Sequence, residues 1–128
     1  MEVKMIRICK TFVFDAAHKL PEHKGKCKNL HGHRYKLEIE VRNEVNPNTG
    51  MVMDFGDLKQ IINDTFIKNW DHSYLNESFE NPTAEIMVEH MINWLKNIFN
   101  KEGVYAELTK VRLYETPNSY AEWRKEDQ

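Results

Sequence analysis

Apolar and polar side chains alternate most strictly between residues 31 and 42. One side of this segment carries His31, His33, Tyr35, Leu37, Ile39 and Val41, and the other carries Gly32, Arg34, Lys36, Glu38, Glu40 and Arg42. Successive side chains of a strand point to opposite faces of a sheet, so this alternation predicts a strand with one apolar and one charged face. Both histidines lie at the start of the apolar face, where residues two apart stand side by side.

A first strand is predicted upstream, over about residues 5–17, by a less regular alternation. Apart from the interruption at Lys10, one face carries Ile6, Ile8, Phe12 and Phe14, followed by His18. Residues 19–30 contain Pro21, Gly25 and four lysines, which predicts a polar and positively charged loop between the two strands.

Helical spacing begins after a turn at residues 46–50. Asp54 is placed to cap a helix over about residues 56–68, whose apolar positions are Leu58, Ile61, Ile62 and Phe66. Thr83 is a second N-cap candidate. The helix after it has the strongest periodic stripe in the chain: Ile86, Met87, His90, Met91, Trp94, Leu95, Ile98 and Phe99. Gly103 is expected to end this helix.

A third strand is predicted over residues 104–114 and a short fourth strand over residues 120–124, with a turn between them. Two strands, two helices and two strands predict an α+β fold with a four-stranded antiparallel sheet, in the order ββααββ. Both helices are expected to cover the apolar face. The charged face and the strand edges then remain free, so the sheet is expected to continue into neighbouring subunits of a homo-oligomer.

Size and composition limit the class of protein. The 128 residues, 41% of them hydrophobic and 30% charged, are expected to form a single domain over residues 1–128. A net charge of −2 gives no reason to expect a nucleic-acid partner, and no apolar run is long enough for a membrane span. The start of the chain lacks the apolar core of a secretory signal. A cytoplasmic setting with two free thiols is therefore expected, with Cys9 buried and inert.

Three histidines, His18, His31 and His33, suggest a metal site. Zinc in catalytic sites takes three protein ligands and keeps its fourth position for water or substrate. A His-x-His pair on a strand supplies two nitrogen ligands, and His18 supplies the third if the first two strands pair as a hairpin. The same histidines could instead combine with Cys27 in a closed structural site, which predicts a ligated thiol and no exchangeable position.

Cys27 is also a candidate acid–base group. The thiolate is the reactive form of cysteine, and the positive charges of Lys26 and Lys28 beside it favour that form. Asp71 and His72 could complete a relay in which a carboxylate holds an imidazole that exchanges a proton with the thiol. Neighbours in sequence do not normally point at each other, so a polar loop pair is the simpler interpretation of Asp71 and His72.

Glu115 stands at the end of the third predicted strand, a favourable position for a site residue. One carboxylate can accept two parallel N–H bonds from a planar, amidine-like edge, such as that of a pterin or guanine ring. A surface salt bridge is the simpler alternative. The lysines of the 19–30 loop could hold phosphates, which favours an anionic substrate.

Six segments together resemble the 6-pyruvoyl tetrahydropterin synthase family, and most closely its bacterial and archaeal branch that forms 6-carboxytetrahydropterin in queuosine and archaeosine synthesis. The segments are Phe14-Asp15-Ala16-Ala17-His18-Lys19-Leu20, Cys27-x-x-x-His31-Gly32-His33, Asp54-Phe55, Asp71-His72-x-Tyr74-Leu75-Asn76, Asn81-Pro82-Thr83-x-Glu85 and Glu115-Thr116. They occur nearly end to end, in the family's order and spacing. A branch of the family carries glutamate where this chain has Cys27, and the cysteine argues against membership in that branch.

The resemblance implies a tunnelling fold, in which subunits join their sheets into a β-barrel trimer and two trimers stack as a hexamer. It implies Zn²⁺ bound by His18, His31 and His33, with Cys27 as the general acid–base. Asp71 and His72 would complete its relay, from a neighbouring subunit. Glu115 would anchor the pterin ring and could share the relay, and Thr83 would help to hold the ring.

The implied reaction is the zinc-dependent conversion of 7,8-dihydroneopterin triphosphate to 6-carboxy-5,6,7,8-tetrahydropterin, with loss of triphosphate and acetaldehyde. One alternative is the pyruvoyl-forming reaction, which eliminates triphosphate only. Another is a zinc-stapled oligomer without catalytic activity.

Overall fold

The computed structural model describes residues 2–128, and its centre is one mixed sheet of five strands. The strands are β1 (Met5–His18), β2 (His31–Glu44), β3 (Ser73–Tyr74), β4 (Glu107–Thr116) and β5 (Ser119–Arg124), in the spatial order β3-β1-β2-β4-β5. β1 and β2 form a long antiparallel hairpin, and β4 and β5 extend the sheet from the other side of β2. This confirms the α+β class and the hairpin of the first two strands.

The prediction of four antiparallel strands is wrong in one respect. β3 adds a fifth strand, and it runs parallel to β1, pairing with Ala16 and Ala17 at the end of that strand. The sequence predicts no strand at this position because two residues are too short to show an alternating pattern. β3 is held by backbone pairing with a strand that is distant in sequence. A local pattern does not reveal such pairing.

Both predicted helix starts are confirmed. The side chain of Asp54 accepts hydrogen bonds from the backbone N–H groups of Gly56 and Asp57, and Thr83 accepts one from Ile86. The helical segments are α1 (Phe55–Ile62), a π-helical stretch (Asn63–Ile67), α2 (Lys68–Trp70) and α3 (Ala84–Lys101). Among residues 2–128, none of these is long and apolar enough to cross a membrane.

The first helical run extends beyond its predicted end at about residue 68 and includes Trp70. The π-helical stretch lies between α1 and α2, and it departs from the regular spacing on which the prediction was based. Trp70 is buried and stacks on Phe66, with 5.0 Å between ring centroids. This aromatic contact fixes the end of the run against the core.

The core lies between the helices and one face of the sheet, as predicted. The apolar residues of this face are buried together with those of the helices; they include Phe12, Phe14, Leu37, Ile39, Leu58, Met87, Leu95 and Leu113. On the opposite face, charged side chains cover one another: those of Glu38 and Lys110 form an ion pair and are only 13% and 10% exposed. Cys9 was expected to be buried, but it is exposed. The buried side chains of β1 alternate along the strand, and Cys9 falls between them, on the face that points away from the core.

Candidate functional site

The hairpin of β1 and β2 brings the three histidines together. His18, the last residue of β1, is paired with His31, the first residue of β2, and Ala16 is paired with His33. Positions 16, 18, 31 and 33 therefore share one end and one face of the hairpin. Ligand atoms of His18, His31, His33 and Glu115 all lie within 4.8 Å of one another. The clustering of the histidines expected from the hairpin is confirmed.

Backbone carbonyls fix the rings of His18 and His31. Nδ1 of His18 lies 2.9 Å from the carbonyl oxygen of Pro82, and Nδ1 of His31 lies 2.8 Å from that of Asn29. A carbonyl can only accept a hydrogen bond, so each Nδ1 carries the proton and each neutral ring has its lone pair on Nε2. The two Nε2 atoms lie 3.0 Å apart. Two lone pairs facing each other at this distance repel unless a cation lies between them.

His33 and Glu115 complete the same group. Oε1 of Glu115 lies 2.9 Å from Nε2 of His33 and 3.4 Å from Nε2 of His18. Nε2 of His33 is buried and has no hydrogen-bond partner of acceptable geometry, although the carboxylate is close to it. Burial lowers the pKa of His33, which favours its neutral form.

These donors fit a divalent metal such as zinc. Three imidazole nitrogens converge, and the ring Nδ1 atoms of His18 and His31 are held by backbone carbonyls, which is how proteins orient metal-binding histidines. Among residues 2–128, the fourth group in this cluster is Glu115, and Cys27 is not part of it. The sequence had suggested Glu115 as a ring anchor that could share the relay, or as a member of a surface salt bridge, and not as a neighbour of the histidines.

Tyr35 contacts this histidine cluster through its hydroxyl group. Its ring is fully buried and its hydroxyl lies 3.2 Å from Nδ1 of His18. We expect Tyr35→Phe to weaken zinc binding about tenfold, because the hydroxyl helps to orient His18. The folding free energy should change by less than about 1 kcal/mol, because the Pro82 carbonyl still accepts the ring N–H.

Chelator competition measures the zinc affinity of Tyr35→Phe, and denaturant unfolding measures its stability. Tyr105→Phe is the control, because Tyr105 is almost fully exposed and distant in sequence from the cluster. An unchanged zinc affinity in Tyr35→Phe would show that the hydroxyl does not orient His18.

Asp71 and His72 do point at each other, contrary to the simpler interpretation of the sequence. Nδ1 of His72 lies 3.0 Å from Oδ1 of Asp71. His72 has a backbone φ of +60°, which is uncommon for a residue other than glycine and turns its side chain back toward Asp71. The backbone of Asp15 holds both residues: its N–H donates to Asp71, and its carbonyl accepts from the N–H of His72 at 2.6 Å.

Asp15 and Arg34 lie beside the pair formed by Asp71 and His72, and neither was identified as a candidate site residue from the sequence. They are opposite each other in the hairpin, and the guanidinium of Arg34 donates two hydrogen bonds to the Asp15 carboxylate, at 3.0 and 3.2 Å. The hydrogen bond from the Asp15 N–H lowers the pKa of Asp71. A signal was available, because pairing His18 with His31 in a hairpin also places Asp15 opposite Arg34.

The two remaining predicted residues, Cys27 and Thr83, are not members of the four-residue cluster. Cys27 is a free, half-buried cysteine in a single helical turn, Lys26–Lys28, within the loop that joins β1 to β2. The Thr83 hydroxyl oxygen caps α3 by accepting from Ile86, which leaves its own O–H available as a donor. Thr83 follows Pro82, whose carbonyl holds His18. Cys27 is therefore four positions before the first residue of β2, and Thr83 is next to a residue that contacts His18.

Comparison with known proteins gives a consistent result. Residues 7–126 match the family described as 6-pyruvoyl tetrahydropterin synthase. The chain is 40% identical to the 6-carboxy-5,6,7,8-tetrahydropterin synthase of Synechocystis over 91% of each chain. It is 34% identical to the enzyme of that name from Rickettsia conorii, over 92% of this chain and 99% of the relative.

The fold has a close counterpart among solved structures. The 6-pyruvoyl tetrahydropterin synthase of Caenorhabditis elegans superimposes with a TM-score of 0.82 and 29% identity, covering 97% of this chain and 98% of that one. Sequence and structure therefore agree over nearly the whole chain. The protein belongs to the 6-pyruvoyl tetrahydropterin synthase family.

Proposed function

We propose that this pterin synthase converts 7,8-dihydroneopterin triphosphate and one water molecule to 6-carboxy-5,6,7,8-tetrahydropterin, triphosphate and acetaldehyde, with one zinc ion held by His18, His31 and His33. The observation that carries the proposal is the convergence of three imidazole nitrogens beside the Glu115 carboxylate. The relatives named 6-carboxy-5,6,7,8-tetrahydropterin synthase support the choice of product. When bound, zinc would acidify hydroxyl groups of the substrate side chain and stabilise the negative charge that develops there.

Cys27 is the proposed acid–base group. It removes and returns protons on the carbon atoms of the substrate side chain, a role that needs a free thiol and not a metal ligand. The cysteine's free state and its partial exposure in the loop before β2 support this role. The cluster already has a fourth group in Glu115, so it does not need the thiol as a ligand.

Asp71 and His72 are the proposed relay for that thiol. The carboxylate holds the imidazole by its Nδ1 atom at 3.0 Å, which leaves Nε2 free to exchange a proton. The His72 side chain is 80% exposed. An outward-facing imidazole of this kind supports a relay that serves the site of a neighbouring subunit.

Sheet edges support the proposed assembly into a hexamer of two trimers. Within residues 2–128, β1 is paired with β3 only at Ala16 and Ala17, so most of its outer edge is free, and β5 forms the opposite edge. Exposed apolar side chains on β1, Met5 and Val13, suit burial against another subunit. Joining the edges of three subunits would place the charged face inside a barrel.

Asp71→Asn is expected to lower turnover about a hundredfold, since general acid–base relays contribute factors of this order. The amide retains an oxygen to accept from the N–H of Asp15, but it does not stabilise a protonated His72. Steady-state rates measured from pH 5 to 9 should show the loss together with a changed pH profile. Asp57→Asn, in the first turn of α1, is the control. A wild-type rate and profile for Asp71→Asn would remove this residue from the relay.

Product identification tests the proposed reaction. The zinc-loaded protein is incubated with 7,8-dihydroneopterin triphosphate, and the pterin product is identified by mass spectrometry together with an assay for acetaldehyde. We expect 6-carboxy-5,6,7,8-tetrahydropterin and one acetaldehyde per turnover. A 6-pyruvoyl product without acetaldehyde would assign the alternative reaction. No turnover by a zinc-loaded protein would contradict both and favour a structural zinc site.

A further inference from the structure

We infer that Asp15 and Arg34 are positioning residues for the pair formed by Asp71 and His72. Asp15 holds the turn that directs the imidazole of His72 at Asp71, and Arg34 offsets the negative charge that Asp15 adds beside that imidazole. The inference rests on the proposed function, in which His72 exchanges a proton with a thiol. It concerns how readily the imidazole takes up and releases that proton.

The backbone of Asp15 fixes the turn. Its N–H donates to Oδ1 of Asp71 at 3.0 Å, and its carbonyl accepts from the N–H of His72 at 2.6 Å. β3 follows this turn directly and pairs with Ala16 and Ala17. The φ of +60° at His72 is disfavoured for histidine, and such a conformation persists where surrounding contacts fix it. The contacts from β1 therefore keep the ring of His72 directed at Asp71.

The side chain of Asp15 is directed by Arg34. Both backbone groups of Asp15 point to Asp71 and His72, away from β2, so Asp15 and Arg34 are a pair without backbone hydrogen bonds between them. Cross-strand side chains lie closest in such pairs. The guanidinium donates to both carboxylate oxygens of Asp15, at 3.0 and 3.2 Å. These hydrogen bonds lower the pKa of Asp15, which is therefore ionised at neutral pH.

His72 therefore has two carboxylates beside it. Ligand atoms of Asp15, Asp71 and His72 all lie within 4.8 Å of one another. The charged groups around the imidazole are Asp15 from β1, Arg34 from β2 and Asp71 from the turn itself. Two uncompensated carboxylates would favour the protonated ring and slow the release of its proton. Arg34 neutralises one of them, which keeps the imidazole able both to accept and to release a proton, as a relay requires.

Deuterium exchange at the ring C2 hydrogen of His72 tests the charge effect without any reaction, because its rate follows the protonation of the imidazole. The zinc-loaded protein is exchanged over a range of pH and the His72 peptide is analysed by mass spectrometry. We expect the pH of half-maximal exchange to rise by about 0.5 pH unit in Arg34→Ala and to fall by about as much in Asp15→Asn. Both changes should shrink in about 1 M NaCl, since all four side chains are more than one-third exposed.

Two further variants separate charge from structure. Arg34→Lys keeps the positive charge and should restore exchange to near the wild-type pH. Arg7→Ala removes an ion pair between Arg7 and Glu40 from the same hairpin, toward its other end, and should leave the exchange of His72 unchanged.

Turnover of the triphosphate substrate tests the link to the relay. The pH profiles of kcat for Arg34→Ala and Asp15→Asn should be displaced in the same opposite directions as the exchange, with KM little changed. The inference is overturned by exchange that does not respond to either substitution, that moves in one direction for both, or that moves while the kcat profiles stay unchanged. Failure of the proposed function looks different: the zinc-loaded wild type would not turn over the substrate, while the exchange of His72 would still respond to both substitutions.

Discussion

His31→Ala should lose its zinc and, with it, about a thousandfold or more of its turnover, because metal ions contribute several kcal/mol to reactions of this type. The substitution removes one of three nitrogen ligands and leaves the Nε2 lone pair of His18 without its partner at 3.0 Å. His18 and His33 remain, and in the cluster only Glu115 is left to add a third ligand, so zinc should bind weakly enough to be removed by dialysis. Elemental analysis after dialysis and steady-state rates measure the two losses.

The control for His31→Ala is His23→Ala. His23 is an exposed residue of the loop that precedes His31, and its ring accepts a hydrogen bond from the backbone N–H of Gly25. It should retain one zinc per chain and near-normal turnover. The thermal unfolding of both variants should be measured in the presence of chelator, so that a loss of fold is not mistaken for a loss of metal. A His31→Ala protein that keeps its zinc and activity would exclude His31 as a ligand.

Cys27→Ala should lose turnover by about a thousandfold while keeping one zinc per chain, since a positioned acid–base group contributes factors of 10²–10⁴. The thiol is the proposed proton carrier, and the histidine cluster does not include it. Rates with the triphosphate substrate and zinc content are measured on the same preparation. Zinc loss in Cys27→Ala would instead make the thiol a ligand and favour the closed structural site.

Cys9→Ala is the internal control for the cysteine experiment. Cys9 is exposed on the charged side of the sheet, and desolvation by the side chains around it raises the pKa of its thiol, which disfavours the thiolate. Its removal should leave turnover unchanged. Comparing Cys9→Ala with Cys27→Ala therefore separates the effect of losing any thiol from the effect of losing the Cys27 thiol.

Local patterns predicted much of this fold because they depend on nearest neighbours along the chain. The alternation of residues 31–42 identifies β2, and the stripe from Met87 to Phe99 identifies α3. The N-caps Asp54 and Thr83 follow from the same local chemistry. The histidine cluster was predictable because a hairpin pairs the residues of its two strands in a fixed register. In this hairpin, that pairing places His18 opposite His31.

Features that depend on distant contacts were not predictable in this way. β3 exists because two residues pair with the end of β1 from more than 50 positions away. The contact of Asp71 with His72 depends on a positive φ, and nothing in the identity of histidine predicts that conformation. Glu115 lies near the histidines because β4 pairs with β2. The two main helices lie between these strands in sequence, so a local pattern does not reveal the pairing.

X-ray absorption at the zinc edge of the metal-loaded wild-type protein tests the zinc site most directly, because it counts the atoms bound to the ion. Three histidines with Glu115 or water predict nitrogen and oxygen neighbours alone, at about 2.0–2.2 Å. A sulfur neighbour at about 2.3 Å would show that Cys27 is a ligand. That result would contradict the assignment of Cys27 as a free proton-transfer group beside a three-histidine site.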